Sequence, residues 1–300
     1  MRKRIRSKLQ ESVLQSYADR NIRLCSPQYY TAGFFRMKMT KHINRILIIF
    51  TACMLGFCLV KIVPELHSAA EAGTAEKQIA GLITSRETNR TGASEEPDPG
   101  SSSESGFSEQ SWDQLKNENP DFIGYLSFRS GLIEEPVVQS SDDEYYLRRS
   151  FFGERSSQGT PFMDSFCSTD SANITIYGHN VYYDSSAMFS RLEELTDPEK
   201  FQENALLDFY LKDGQLRTYR AAAVYYSTLE NAGSLDYSRP DFSSEEDFYD
   251  WVNQVYSCAV LSSDVPVRYG DHLLTLQTCR RWDENTHIIV HFREIRRGSY

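Results

Sequence analysis

Two short segments carry a nucleophilic and a basic side chain. Cys279 ends the apolar run HLLTLQTC, and a cysteine thiol becomes a strong nucleophile once a neighbouring base or cation ionises it. His179 follows the run ITIYG, and a partly exposed loop histidine titrates near its ordinary pKa of about 6.5. A Cys–His pair is a recurrent solution to acyl transfer. Each residue also has a purely structural reading, as a small buried residue at a strand end and as a loop histidine held by the backbone.

The segments around these two residues are typical of short strands. Alternating or apolar runs are bounded by turn residues throughout the C-terminal part of the chain: FIGYLSF, EEPVVQ, ANITIYG, LLDFYLK, QLRTYRAAAVYYS, HLLTLQT and THIIVHFREI. The tetrapeptide KDGQ between two of them is an Asp-Gly hairpin signal. Many short strands favour a barrel or a sandwich.

Helical patterns interrupt the strands. Ser111 and Gln114 fit a capping box, so we expect a short helix that begins there and ends at Pro120. MFSRLEELTD is a second, short candidate. The strongest candidate runs from Ser243 to Ser257, where large apolar residues recur at helical spacing behind an acidic first turn. We therefore predict a mostly β barrel with a helix inserted late in the strand order.

Composition narrows the class of protein. The chain has 300 residues and a formal net charge of −10, which argues against nucleic-acid binding because that binding depends on neutralising phosphates. No glycine-rich phosphate loop and no C-x-x-C or H-E-x-x-H spacing occurs in the sequence, so we predict neither a cofactor nor a metal site.

Charge and hydropathy predict a membrane protein with four regions. Residues 1–45 are basic and are expected in the cytoplasm, because basic flanks stay on that side. Residues 46–63 form an apolar run of about 18 residues, close to the lower limit for a transmembrane helix. A cleaved signal peptide is the alternative. Residues 64–110 are rich in Ser, Glu, Gly and Thr and are expected to be a flexible extracellular stalk. The folded domain then spans 111–300.

Two further questions follow from this topology. Translation from Met37 or Met39 instead of Met1 would leave an ordinary short basic segment before the anchor. Of the six cysteines, three would face outward, namely Cys167, Cys258 and Cys279. An odd number excludes a complete disulfide framework and leaves one thiol over, which is a reason to suspect chemistry. We expect Cys167 and Cys258 to be small buried residues.

At this point the sequence resembles a known family. IYGHN and TLQTC are similar to the two signatures of the sortases, the cysteine transpeptidases of Gram-positive surfaces. NPDFIGYL, EEPVVQSSDDEYYLRRSF, GTPFMD and IYGHNVYYDSSAMFSRL follow in the order seen in class B sortases, and the late helix matches the one that this class inserts. The resemblance runs from about Trp112 to Ile295, essentially the whole folded domain.

The resemblance implies a fold and a reaction. The fold is an eight-stranded β-barrel with added helices. In the reaction, a cysteine thiolate attacks the carbonyl that follows a threonine in the C-terminal sorting signal of a surface protein. The resulting thioester is resolved by an amine of a peptidoglycan precursor or of a pilin lysine. Cys279 would be the nucleophile, and His179 would protonate the leaving amine and deprotonate the incoming one.

The third catalytic residue of the family is an arginine at the start of the last strand, and here the matching segment NTHIIV places His287 there. Three explanations stay open. His287 could act as a weaker electrophile, an arginine such as Arg280, Arg281 or Arg293 could reach the site, or the enzyme is slow or has lost transpeptidation. The rival functions are a Cys–His hydrolase and an inactive barrel that binds sorting signals.

Overall fold

The computed structural model of the chain describes residues 48–58, 60, 79, 109–181, 184, 187–228, 235–281 and 283–299. The predicted cytoplasmic N-terminus therefore lies outside the described residues, as does most of the predicted stalk. In the predicted anchor, residues 48–58 are helical and exposed. Among the helices that the structure describes, none combines the length and the apolar character needed to span a membrane. In the stalk segment, Ile79 is helical and buried in an apolar cluster that includes Trp112.

The described part of residues 109–299 is dominated by one sheet. Its strands are β1 (Phe122–Phe128), β2 (Glu134–Val138), β3 (Phe162–Met163), β4 (Asn173–Tyr177), β5 (Leu206–Leu211), β6 (Gln215–Thr228), β7 (Leu261–Ser262), β8 (Leu273–Arg280) and β9 (Asp283–Ser299). Seven of these nine were predicted from the sequence, and β3 and β7 were missed because two residues are too few to show an alternation.

The sheet closes into a barrel, as the sequence predicted. The strand order is β5-β1-β2-β3-β4-β8-β9-β6, and β5 also pairs with β6, so eight strands form a closed ring. β7 is a short addition on the outer side of β6. The hairpin predicted at KDGQ joins β5 to β6, with Gly214 at a φ of 90° that other residues rarely adopt.

Alternation along β8 separates the inside of the barrel from its outer surface. Leu274 and Leu276 belong to the large apolar cluster that fills the barrel. Thr275, Gln277 and Cys279 point to the opposite face, because successive side chains of a strand alternate. Cys279 therefore lies on the outer surface of the barrel wall, at the end of its strand.

The helices are α1 (Glu109–Glu118), α2 (Pro198–Glu203) and α3 (Glu245–Cys258), with 3-10 turns at Tyr146–Arg148 and Ser190–Thr196. α3 is the predicted late helix. The Ser244 side chain caps it by accepting a hydrogen bond from the N–H of Asp247. Its apolar side, including Phe248, Trp251 and Val252, packs on the outer face of β6, β8 and β9.

Three details of the sequence prediction were wrong. α1 begins at Glu109, two residues before the predicted Ser111. The segment MFSRLEELTD, which was predicted to be a helix, forms a 3-10 turn that ends at Thr196. Asp197 is extended because it precedes Pro198, and a new helix, α2, begins at that proline. Cys258 is exposed rather than buried, because it is the last residue of α3 and the chain turns away at Ala259.

Candidate active site

Cys279 and His287 face each other across two neighbouring strands. In the antiparallel pairing of β8 with β9, Cys279 is directly opposite His287. Residues opposite each other in such a pair point to the same side and have Cβ atoms about 4.5–5.5 Å apart. Both side chains are half-buried on the outer face of the barrel. The residue that occupies the family's arginine position is therefore a direct neighbour of the candidate nucleophile.

His179 reaches the same edge of the sheet from the other side of β8. β4 and β8 are parallel, with Tyr177 level with Gln277, so both strands end at the same edge. The N–H of Gly178 donates to the Gln277 carbonyl at 3.0 Å, and the pairing ends there. Since neighbouring strands are about 4.8 Å apart, the residues that follow each strand lie close together.

The chain leaves the sheet at a glycine because the space beside residue 178 is already occupied and leaves no room for a side chain. A Cβ atom at this position would lie 2.5 Å from the ring of Phe189, which is fully buried. Phe189 in turn donates its N–H to the carbonyl of His179 at 3.2 Å. The loop that carries His179 is thus packed against the chain that returns after it, and its position is set by the core.

The ring of His179 is oriented by a main-chain carbonyl. Its Nε2 lies 3.0 Å from the carbonyl oxygen of Leu147. A carbonyl can only accept, so Nε2 carries the proton and Nδ1 is left as the basic nitrogen. Burial lowers the pKa of His179, the bond to Leu147 opposes this, and the charge of Arg148 lowers it further. The imidazole is therefore mainly neutral near neutral pH, as a general base must be.

The imidazole of His287 differs from that of His179 in its hydrogen bonding. Burial lowers its pKa as well, so it too is mainly neutral near neutral pH. Its ring makes no hydrogen bond to any residue that the structure describes. A neutral imidazole still carries one N–H, which can donate to an oxygen atom placed near the thiol.

Two of the three arginines considered as substitutes lie elsewhere or are engaged. Arg293 pairs with Leu273 at the opposite end of β8 and binds Asp271 at 2.7 Å. Arg280 stacks over the ring of Tyr226 at 4.8 Å, and Tyr226 packs against the barrel interior rather than on the face of Cys279. Arg281 is half-buried in the turn that follows β8.

Sequence reasoning did not single out Asn180, which contacts Cys279, or Tyr237, whose pKa is shifted. The side-chain nitrogen of Asn180 donates to the Cys279 carbonyl at 3.0 Å, which ties the His179 loop to the end of β8. Burial, followed by the charges of Asp236 and Cys279, raises the pKa of Tyr237 to about 12. The IYGHN motif contains Asn180 and could have suggested it, whereas no pattern in the sequence marks Tyr237.

The described cysteines form no disulfide with one another. Cys167 is buried, and burial raises the pKa of its thiol to about 11, which makes it a poor nucleophile at neutral pH. Cys258 is exposed on α3. The candidate site therefore consists of a thiol, a neutral imidazole with a bare nitrogen, and a second imidazole that can donate, which is a set of groups suited to acyl transfer.

Comparisons with known proteins agree with this chemistry. No family model matches the chain. Sortase B from Staphylococcus aureus is 27% identical over 182 residues, which cover 60% of this chain and 72% of that protein. The structure of Clostridium perfringens sortase B is 30% identical, with a TM-score of 0.57, covering 61% of this chain and 99% of the other. A substrate complex of Staphylococcus aureus sortase B shares the fold with a TM-score of 0.61 at 22% identity, covering 77% and 99% of the two chains.

Proposed function

Because the chain belongs to the class B sortases and is a sortase-type cysteine transpeptidase, we propose that it cleaves a sorting signal after threonine and joins the released carbonyl to an amine. The observation that carries the proposal is the arrangement at the end of β8. Cys279 lies opposite His287, and Asn180 ties the loop that carries His179 to it. The substrate complex of the Staphylococcus aureus relative supports a sorting-signal protein as substrate.

The proposed reaction has two halves. In the first, Nδ1 of His179 takes the proton of the Cys279 thiol while Sγ attacks the carbonyl carbon that follows threonine. The N–H of His287 donates to the oxyanion of the tetrahedral intermediate. When the intermediate collapses, the C–N bond breaks and the leaving amine takes the proton from His179, which leaves a thioester on Cys279.

The second half reverses these proton transfers. An incoming amine attacks the thioester carbonyl and gives a proton to Nδ1 of His179. The C–S bond then breaks, the new amide is released, and the sulfur recovers the proton from His179. The two proposed acceptor classes, a peptidoglycan precursor and a pilin lysine, both present a primary amine, so the same groups serve either one.

We also propose the topology that the sequence predicts. Residues 46–63 would anchor the protein, residues 64–110 would be the stalk, and the catalytic domain 111–300 would face the cell wall. The charge asymmetry between the basic residues 1–45 and the acidic remainder supports this orientation. A sortase needs substrate and acceptor at the cell envelope, which this placement provides.

The full chain, purified in detergent, allows a direct test. A library of quenched fluorescent peptides, each with one threonine, reports cleavage, and mass spectrometry detects ligation to triglycine or to a diamino acid. We expect cleavage after threonine, with ligated product rising as the amine is added. Cys279→Ala should reduce the rate to background, whereas Cys258→Ser should retain it. Cleavage that survives Cys279→Ala would refute the thiol mechanism, and hydrolysis that added amines never divert would identify a hydrolase instead.

A further inference from the structure

Asn180 occupies a place in the sheet that normally belongs to a main-chain donor. In the parallel ladder of β4 and β8, the N–H of Gly178 donates to the Gln277 carbonyl at 3.0 Å. Donors of a parallel ladder recur at every second residue, so the next one in register would be the N–H of residue 180, facing the carbonyl of Cys279. That carbonyl instead receives the side-chain nitrogen of Asn180 at 3.0 Å.

This substitution lets the chain leave the sheet without losing its last contact. β4 ends at Tyr177, and the main chain departs at His179. A main-chain bond from residue 180 would require His179 to stay extended within the strand. The side chain of Asn180 spans the gap, so the backbone can turn while the end of β8 stays bonded to the loop.

The orientation of the Asn180 amide follows from its partner. The Cys279 carbonyl can only accept, so the amide nitrogen must face it. The amide oxygen is then buried without a hydrogen-bond partner. An unpaired buried acceptor destabilises a fold, because it has lost its hydrogen bonds to water. If residue 180 only filled space, an apolar side chain would be more stable there. The hydrogen bond that the amide donates to Cys279 therefore explains why this residue is an asparagine.

We propose that Asn180 is a positioning residue that holds the Cys279 thiol in register with the imidazole of His179. This inference rests on the catalytic roles proposed above for those two residues. β9 restrains the Cys279 main chain from one side, where it pairs with His287. Asn180 restrains it from the other side and belongs to the same loop as His179, so the bond fixes both reacting groups at once.

Kinetics of Asn180→Leu in the full chain test the proposal. Misplacement of reacting groups by about 1 Å costs up to about 100-fold in rate, so we expect kcat for peptide cleavage to fall about 10–100-fold. KM should stay within about twofold, because Asn180 acts through Cys279 and His179 rather than on the peptide. Asn117→Leu makes the same change on the exposed face of α1 and should leave both constants at the parental values.

An isosteric variant supplies a readout that a purely structural role would not change. In Asn180→Asp, the carboxylate cannot donate and repels the Cys279 carbonyl, whereas the protonated acid can donate again. The activity of Asn180→Asp relative to the parent should therefore rise as the pH falls, and that of Asn180→Leu should stay flat. Peptide mapping after iodoacetamide treatment should show the same trend in the alkylation rate of Cys279.

The outcomes separate this inference from the proposed function. Parental kcat in Asn180→Leu, a loss confined to KM, or equal pH dependence of the Leu and Asp variants would each overturn the positioning role. Full cleavage by Cys279→Ala would overturn the proposed function instead. Thermal unfolding of each variant confirms that it is folded, and if Asn180→Leu does not fold, the pH dependence of Asn180→Asp decides alone.

Discussion

A buried histidine beneath α3 should make the stability of the protein depend on pH. His291 is 3% exposed on the outer face of β9, between the rings of Tyr225 and Trp251. Its Nδ1 lies 2.8 Å from the hydroxyl of Thr275, and that hydroxyl donates its proton to Asn173 at 2.7 Å. The hydroxyl must therefore accept from His291, so Nδ1 carries the proton of a neutral ring.

The size of the effect follows from the two protonation equilibria. Burial lowers the pKa of His291 to about 3, whereas an exposed histidine in the unfolded chain titrates near 6.5. As the pH falls below about 6.5, the unfolded chain binds a proton at His291 that the folded chain does not bind. Stability is therefore lost between those two pKa values, by about 2 kcal/mol between about pH 8 and about pH 5 and by about 3 kcal/mol at about pH 4.

Urea unfolding of His291→Asn isolates this contribution. The asparagine amide can replace Nδ1–H as the donor to Thr275 but does not titrate. The variant should be less stable than the parent at about pH 8, because it leaves a cavity where the ring was. The difference in free energy of unfolding between the parent and the variant should then decrease by about 2 kcal/mol by about pH 5. The other titrating groups are common to both proteins, so their contributions cancel in this difference.

The cause of the lowered pKa of His291 can be tested separately. Tyr225→Phe removes the hydroxyl that lies 3.4 Å from Nε2 but leaves His291 buried. Because burial is the cause of the lowered pKa, this variant should keep the pH dependence of the parent. Parallel stability curves for the parent and His291→Asn would contradict this prediction, since they would mean that the folded protein binds the proton as readily as the unfolded chain does.

Two further predictions concern the candidate site. His287→Arg places a permanent charge opposite Cys279 and should raise kcat/KM about tenfold, because charged donors stabilise an oxyanion better than neutral ones. The rate of peptide cleavage measures this effect. A lower rate would show that the imidazole has a function that arginine cannot replace. Gly178→Ala brings a Cβ to 2.5 Å from the buried ring of Phe189 and should destabilise the fold by about 1–3 kcal/mol. Gly298→Ala, where nothing lies within 4 Å, is the matched control in thermal unfolding, and equal melting temperatures for the two variants would contradict the packing argument.

The sequence predicts the elements of this fold where a local pattern is long enough. β1 coincides with its predicted run, and α3 differs by two residues at its start, because alternation and helical spacing extend over several residues there. β3 pairs with β4 over only two residues and depends on its neighbours, so no local pattern reveals it. The closure of the barrel by β5 and β6 is likewise a property of the whole sheet.

The candidate site divides in the same way. Cys279 and His179 could be proposed as candidates from the sequence, because each lies at the end of a predicted strand in a short motif. The relation of His287 to the thiol depends on the register of β8 with β9, which places residues separated by a whole turn directly opposite each other. Asn180 contacts the end of β8 from the loop that follows β4, and such a contact follows from tertiary packing rather than from spacing along the chain.

In the proposed mechanism, a histidine in place of the arginine changes how the thiol is activated. An arginine opposite Cys279 would carry a permanent positive charge that favours the thiolate before substrate binds. Burial lowers the pKa of both His179 and His287, so neither ring supplies that charge near neutral pH. In the proposed mechanism, the proton of Cys279 moves to His179 as the sulfur attacks. Under this mechanism the rate depends on the alignment of sulfur and imidazole more strongly than it would with a charged neighbour. The proposed role of the Asn180 bond is to maintain that alignment.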